Sequence, residues 1–260
     1  MAGFKDVFQR IEVKYLLDDK QYTELMKRLE NMAAIDSYGK TSILNIYFDT
    51  PDYKLIERSL EKPVYKEKLR LRTYGTATDD TNAFIEIKKK YKGVVYKRRI
   101  SMPYYKAIEY LVEGKGPEKK SQISDEIDYF IKYYKGIRPA MAISYDRIAM
   151  AGIEDPDLRI TFDTNIRWRT ENLSLKEGNK GKDILLPGQH LMELKIAGAM
   201  SMELARILDE LNIRKTSFSK YGKGYMEYMY GQRMNMMTGH AAVGAEERKS
   251  EKIANFRKAV

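Results

Sequence analysis

Residues 65–74 read Tyr-Lys-Glu-Lys-Leu-Arg-Leu-Arg-Thr-Tyr, and the strict alternation at its centre, Lys68-Leu69-Arg70-Leu71-Arg72, decides the fold. Successive side chains of a β-strand point to opposite faces, so this segment has one hydrocarbon face and one cationic face. The pattern recurs. Arg10, Glu12 and Lys14 alternate with Ile11, Val13 and Tyr15; Glu86, Lys88 and Lys90 alternate with Ile85 and Ile87; Lys97 and Arg99 are offset against Tyr96 and Ile100. In the second half Tyr145 with Arg147, Arg159 with Asp163, Arg167 with Arg169, and Glu193 with Lys195 share faces in the same way, the last pair flanked by Met192, Leu194 and Ile196.

Period-two segments at 8–17, 42–49, 65–74, 83–90, 94–101, 141–150, 158–170 and 190–197 predict strands, with Tyr91-Lys92-Gly93 as a tight hairpin turn. Helical spacing is clear at Tyr22, Leu25, Met26, Leu29 and Met32 behind Asp18 or Asp19. It returns at Tyr104–Val112 behind Pro103, at Ile123–Tyr134 before Gly136, at Leu204–Leu211 behind Ser201, and from Ser219 to about Gln232. Residues 171–189, rich in Gly, Lys, Asn and Glu, read as a mobile excursion. We expect a single domain over 1–232 and a tail, 233–260, that is a frayed helix or disordered.

The chain has 260 residues, 43% of them hydrophobic, enough for a sizeable core. It has no cysteine, which excludes disulfides, thiolate nucleophiles and zinc-thiolate sites; its two histidines, His190 and His240, leave little for a His-rich metal centre. No apolar run is long enough for a membrane-spanning helix or a signal peptide, so a cytoplasmic location is expected. A net charge of +10 favours polyanionic partners.

An antiparallel sheet with one wet face also alternates charged and apolar residues. Such faces usually mix Ser, Thr and both charge signs, whereas these are dominated by Lys and Arg, with single acids at Glu12, Glu86 and Glu193. With 32% charged residues, two chosen positions are both charged about one time in ten, so the recurrence exceeds composition. The geometry that uses the pattern is a closed antiparallel β-barrel in an α+β fold, with amphipathic helices outside and a cationic lumen inside. A basic lumen suits phosphates, which accept bidentate arginine bonds and lysine point charges. A few carboxylates among them suit Mg²⁺ or Mn²⁺ held partly by substrate phosphate.

The ordered series Glu12-Val13-Lys14-Tyr15, Tyr47-Phe48-Asp49-Thr50, Lys68 to Arg72, Glu86-Ile87-Lys88, Lys97-Arg98-Arg99, Tyr145-Asp146-Arg147, Arg159 to Asp163, Glu193-Leu194-Lys195 and Ser219-Lys220-Tyr221 resembles the VTC domain. That domain is the polyphosphate-polymerase branch of the triphosphate tunnel metalloenzyme (CYTH-like) superfamily, and the likeness spans roughly residues 8 to 226. It implies a tunnel in which Lys14, Arg70, Arg72, Lys88, Lys97, Arg147 and Arg159 hold a triphosphate or growing chain, joined by Tyr145, Ser219 and Lys220. It further implies Glu193 as the holder of Mn²⁺ or Mg²⁺ and transfer of the terminal phosphate of ATP onto inorganic polyphosphate. The tunnel hydrolases carry Glu-x-Glu-x-Lys on their first strand; here Arg10 replaces the first glutamate, which disfavours a two-metal triphosphatase. Eukaryotic members add a phosphate-sensing module and a transmembrane segment, neither of which is expected within these residues.

Arg99 and Lys195 join the expected substrate contacts through their alternation. Glu12 and Glu86 stay open between metal ligation and ion pairs that orient their neighbours, Glu12 being kept as the second candidate ligand. Asp49 and Asp163 are expected to bond backbone amides at turns. Trp168 with Arg167 and Arg169 stays open between a core tryptophan and a rim contact for phosphate or base. Alternative functions are a triphosphatase or polyphosphatase of the same fold and a non-catalytic polyphosphate binder. Nucleic acid is not expected, because the charge faces into a barrel too narrow for a duplex.

Overall fold

The computed structural model describes residues 10–92 and 94–234. Ten strands form one antiparallel sheet: β1 (Arg10–Leu17), β2 (Ala33–Asp49), β3 (Tyr65–Tyr74), β4 (Asn82–Tyr91), β5 (Val94–Pro103), β6 (Arg138–Gly152), β7 (Arg159–Arg169), β8 (Lys182–Asp183), β9 (His190–Ala197) and β10 (Lys215–Thr216). Around it lie α1 (Asp19–Leu29), α2 (Lys54–Leu60), α3 (Tyr104–Glu113), α4 (Gln122–Tyr133), α5 (Met202–Glu210) and α6 (220–234). The ladder runs β10-β1-β9-β7-β6-β2-β3-β4-β5, with β8 on β7.

The sheet curls into a barrel whose backbone ladder starts at β10 and ends at β5, in place of the fully closed ladder expected from sequence. Side chains bridge the seam instead: Lys88 on β4 reaches Glu12 on β1 at 3.3 Å. The edge strand β5 exposes Lys97, Arg98 and Arg99, and a charged edge resists further pairing.

The apolar face of each strand points outward under helices. Leu25 and Leu29 of α1 with Leu204, Ile207 and Leu208 of α5 cover Val13, Ile160, Phe162, Met192 and Leu194. Tyr104, Ala107 and Leu111 of α3 with Ile127 and Phe130 of α4 cover Leu69, Leu71, Ile85 and Ile87. The capping boxes at Asp18 and Ser121 and the cap at Ser201 fix where α1, α4 and α5 begin. A third apolar cluster fills one end of the interior: Ile43, Tyr47, Met141, Ile143, Trp168 and Leu191 pack against Phe218, Tyr221 and Tyr225. The charged lumen therefore occupies only part of the barrel.

Two expectations need correction. Strand β2 starts at Ala33, because a bulge between Ile35 and Lys40, with Gly39 at φ +58°, interrupts the period that marks its second half. Residues 171–189 are tied down: Leu175 and Leu185 are buried, and Arg169 donates to the carbonyls of Asn172, Ser174, Gly178 and Lys180. Trp168 is accordingly a core residue, with Arg167 paired to Asp183 at 2.9 Å. Helix α6 continues through residues 233 and 234, and the rest of the expected tail lies outside the described residues.

Helix α2 follows from Asp49, whose buried carboxylate accepts from the amides of Thr50 (2.8 Å), Leu55 (2.9 Å) and Ile56 (3.0 Å), the structural role expected of it. The same group accepts from the Tyr221 hydroxyl at 2.8 Å, locking α6 to the barrel. Burial pushes the Asp49 carboxyl above its usual pKa, against the pull of those donors.

Where α6 meets β6 and β7, Gly224 lets the backbones approach: a Cβ there would lie 2.8 Å from Met141 Sδ, 3.1 Å from Trp168 Cβ and 3.3 Å from Ile143 Cδ1. Gly224→Val should lower stability by about 2 kcal/mol through overpacking, read as a fall in the urea midpoint. Gly231→Ala, in the same helix with open space around it, should raise stability by about 0.5–1 kcal/mol.

Candidate functional site

Strand register turns the charged positions inward. Glu12 on β1 opposes Lys195 on β9 and Lys14 opposes Glu193; Arg70 on β3 opposes Glu86 on β4, and Lys88 opposes Lys97 on β5. On β6 and β7, Arg147 opposes Asp163. That last register depends on a bulge at Asn165, which adopts φ +49° and donates to Asp146 at 2.8 Å.

Two buried carboxylates organise most of these cations. Glu86, 1% exposed, takes Arg70 through Nε at 2.7 Å and through a second guanidinium nitrogen at 2.6 Å. Its Oε1 has no well-aligned hydrogen bond but stands 2.6 Å from Lys97 Nζ, and Arg72 lies 3.8 Å from Oε2. Burial opposes the charge of Glu86, but Arg70, Arg72 and Lys97 prevail and hold its pKa at about 2. Asp163 accepts a bidentate pair from Arg147, at 2.6 and 2.8 Å, and meets Lys220 at 2.5 Å. Burial works against both partners of that second pair, yet the Asp163 carboxyl stays below its usual pKa and the Lys220 ammonium above. Asp163, expected to bond backbone amides, is thus the anchor of two lumen cations.

Tyrosines complete the frame. Arg72 donates to Asn45 Oδ1 at 2.9 Å and to the Tyr145 hydroxyl at 3.1 Å; Arg70 donates to the Tyr47 hydroxyl at 3.2 Å. Lys220 lies 4.5 Å and Arg147 5.2 Å from the centre of the Tyr145 ring. Burial opposes ionisation of Tyr145, but Arg72, Arg147 and Lys220 draw its pKa below the ordinary tyrosine value.

A second group lines the β1–β9 wall. Lys14 Nζ stands 3.7 Å from both Glu12 and Glu193 and donates to the Phe218 carbonyl at 3.0 Å. Lys195 pairs with Glu193 at 3.1 Å. Burial disfavours ionised Glu193, but Lys195 and Lys14 hold it well below the usual carboxylate range. Lys68 points into the same region and donates to Ser219 Oγ at 3.2 Å.

Of the expected residues, the structure brings Lys14, Arg70, Arg72, Lys88, Lys97, Arg147, Tyr145, Lys195, Ser219, Lys220, Glu12 and Glu193 around one lumen. Arg159 is one of two exceptions. It shares the lumen face of β7 but is exposed, and its guanidinium caps the Pro156 and Leu158 carbonyls at 2.8 and 2.9 Å, which places it at the rim. Arg99 is also exposed, with its guanidinium 4.9 Å from the Phe84 ring centre. Lys68, Asn45 and Tyr47 were not among the expected site residues. Lys68 carried the same alternation as Arg70, whereas Asn45 and Tyr47 carry no charge to betray their face.

A curled antiparallel sheet enclosing ion-paired cations, with helices outside, is the architecture of the triphosphate tunnel (CYTH-like) class. An adenylate cyclase candidate from Bacillus halodurans aligns at a TM-score of 0.51 and 15% identity, over 81% of this chain and 93% of its own. An adenylyl cyclase candidate from Hippeastrum with a dominant triphosphatase activity aligns at 0.51 and 15%, over 84% and 96%. The VTC domain model matches residues 9–229, and the chain belongs to that family. It is 28% identical over 208 residues to vacuolar transporter chaperone complex subunit 4 of Schizosaccharomyces pombe, covering 68% of this chain and 29% of that longer protein. Among the described residues no helix is long and apolar enough to cross a membrane.

Glu86 yields a pH prediction. Its folded pKa lies below the unfolded value, so the stability it contributes is present above about pH 4.5 and is lost as pH falls toward 2. The contribution is about 3 kcal/mol. Denaturant unfolding of wild type should show that loss across this window, and Glu86→Gln should start lower at neutral pH and lack this part of the acid dependence.

Proposed function

We propose that this domain transfers the terminal phosphate of ATP to the end of a polyphosphate chain inside the lumen, assisted by Mn²⁺ or Mg²⁺. The observation that carries the reading is the convergence of lysines and arginines from β1, β3, β4, β5, β6, β9 and α6 on one enclosed space, where they outnumber the carboxylates among them. Phosphoryl transfer demands positioning and neutralisation of charge more than it demands a protein nucleophile. The terminal oxygen of the acceptor would attack the γ-phosphorus, the bond to the β,γ-bridging oxygen would break, and ADP would leave.

The donor set suits a divalent cation. Glu12 and Glu193 face the one ammonium of Lys14 at 3.7 Å each, so two oxygen-bearing groups already converge on a cationic centre. Among the described residues no cluster of three or more acidic or imidazole groups would hold a metal alone. Glu193, with Glu12, would hold the ion together with phosphate oxygens and water. When bound, it would neutralise charge on the transferring phosphate.

Arg147 directs Nε and one terminal nitrogen at Asp163, which leaves its other terminal nitrogen for a phosphate oxygen. Lys220, fixed by the same Asp163, would offer its remaining protons beside it. Arg70 directs Nε and both terminal nitrogens at Glu86 and Tyr47, so its part is to hold the wall in shape and supply field, whereas Arg72 spends Nε and one terminal nitrogen on Asn45 and Tyr145 and would keep the other for a phosphate oxygen. Lys97, Lys88 and Lys195, each partly exposed, would draw the anion inward.

Incubation with ATP and Mn²⁺, followed by phosphorus NMR, should show internal phosphates of growing chains. Free phosphate alone would identify a hydrolase, and no turnover with retained polyphosphate binding would identify a binder. Arg147→Ala and Glu193→Ala should each lower kcat by about 100-fold or more, measured as ADP release.

A further inference from the structure

Each lumen carboxylate has cationic partners, but among the described residues the pairing leaves Lys68 out, as it does Lys66 farther along the same strand face, which donates to the Ser59 carbonyl. Among the described residues Lys68 has no carboxylate partner; its contacts there are the Ser219 hydroxyl at 3.2 Å and the Tyr221 ring, with the centroid 6.0 Å away. The strongest charges acting on it are positive: Lys66 and Arg70 on its own strand, Lys14 on β1 and Lys88 on β4. Glu12, which might have balanced it, is already held by Lys88 and Lys14. From α6 it meets Ser219, whose oxygen also caps the helix by accepting from the Gly222 amide at 3.1 Å, so the positive end of the helix dipole adds to the field.

A half-buried ammonium surrounded by other cations costs free energy unless an anion completes the set. We infer that Lys68, together with Ser219, is a contact reserved for an oxygen of the bound phosphate chain, and that filling it draws a proton into the protein. This rests on the lumen being the phosphate site, and adds a specific contact and a pH dependence to it. Burial first, then Lys66, Lys14, Lys88 and Arg70, lowers its pKa to about 7, so above neutrality the empty site is largely uncharged. Phosphate oxygens restore the charge, and affinity falls as pH rises from 7 to 9.

The test is calorimetric titration of inorganic triphosphate at pH 8 with metal chelated, repeated in buffers of different ionisation enthalpy to count protons. Wild type should take up nearly one more proton per anion than Lys68→Arg, whose side chain stays charged. Lys68→Met, with its fold checked by thermal melting, should bind about 10- to 100-fold more weakly, the range of a lost charge-assisted hydrogen bond. Equal proton uptake by wild type and Lys68→Arg, or wild-type affinity in Lys68→Met, would overturn the inference while leaving the lumen as the site. Absence of triphosphate binding by wild type would overturn both.

Discussion

Like charges gathered in an enclosed space repel, and the fold depends on how that repulsion is contained. Glu86 and Asp163, both essentially without solvent exposure, each sit among two or more cations and are kept ionised by them. Removing either would leave buried positive charge unbalanced, the costly half of a broken ion pair. The apolar outer faces explain why the sheet is covered. These two inner anchors explain why its cationic face can be turned inward before any ligand arrives.

Helix α6 completes the charged wall of the lumen. Its start delivers Ser219 and Lys220 to the charged region, while Tyr221, stacked on Tyr47 at 4.7 Å and bonded to Asp49, fixes the helix against the wall. The same helix fills the apolar end of the barrel with Tyr221 and Tyr225. One element therefore closes part of the interior and furnishes two of the groups facing the remainder. Asp49, buried beneath α2, is coupled to this helix through a single hydroxyl.

Much of this was legible in the sequence because a strand obeys a period of two and the pattern repeated on strand after strand. Lys14, Arg70, Arg147 and Glu193 were found that way, with their neighbours set by order along the chain. What stayed hidden has physical reasons. A bulge shifts the period, as at Gly39 and Asn165; an uncharged lumen residue such as Tyr47 looks like any strand tyrosine. Arg159 kept the right face but lies beyond the enclosed region, a matter of depth along the strand that alternation does not encode. Nor does it encode partnership: which lysine would lack a carboxylate depends on three-dimensional neighbours.

A crystal structure with bound inorganic triphosphate tests the central claim most directly. The account predicts phosphate density within the lumen, touching Lys220, Arg147 and Lys68, with Glu86 and Asp163 still paired to their arginines. Triphosphate bound on the outer surface, with the lumen cations still closed on one another, would contradict it.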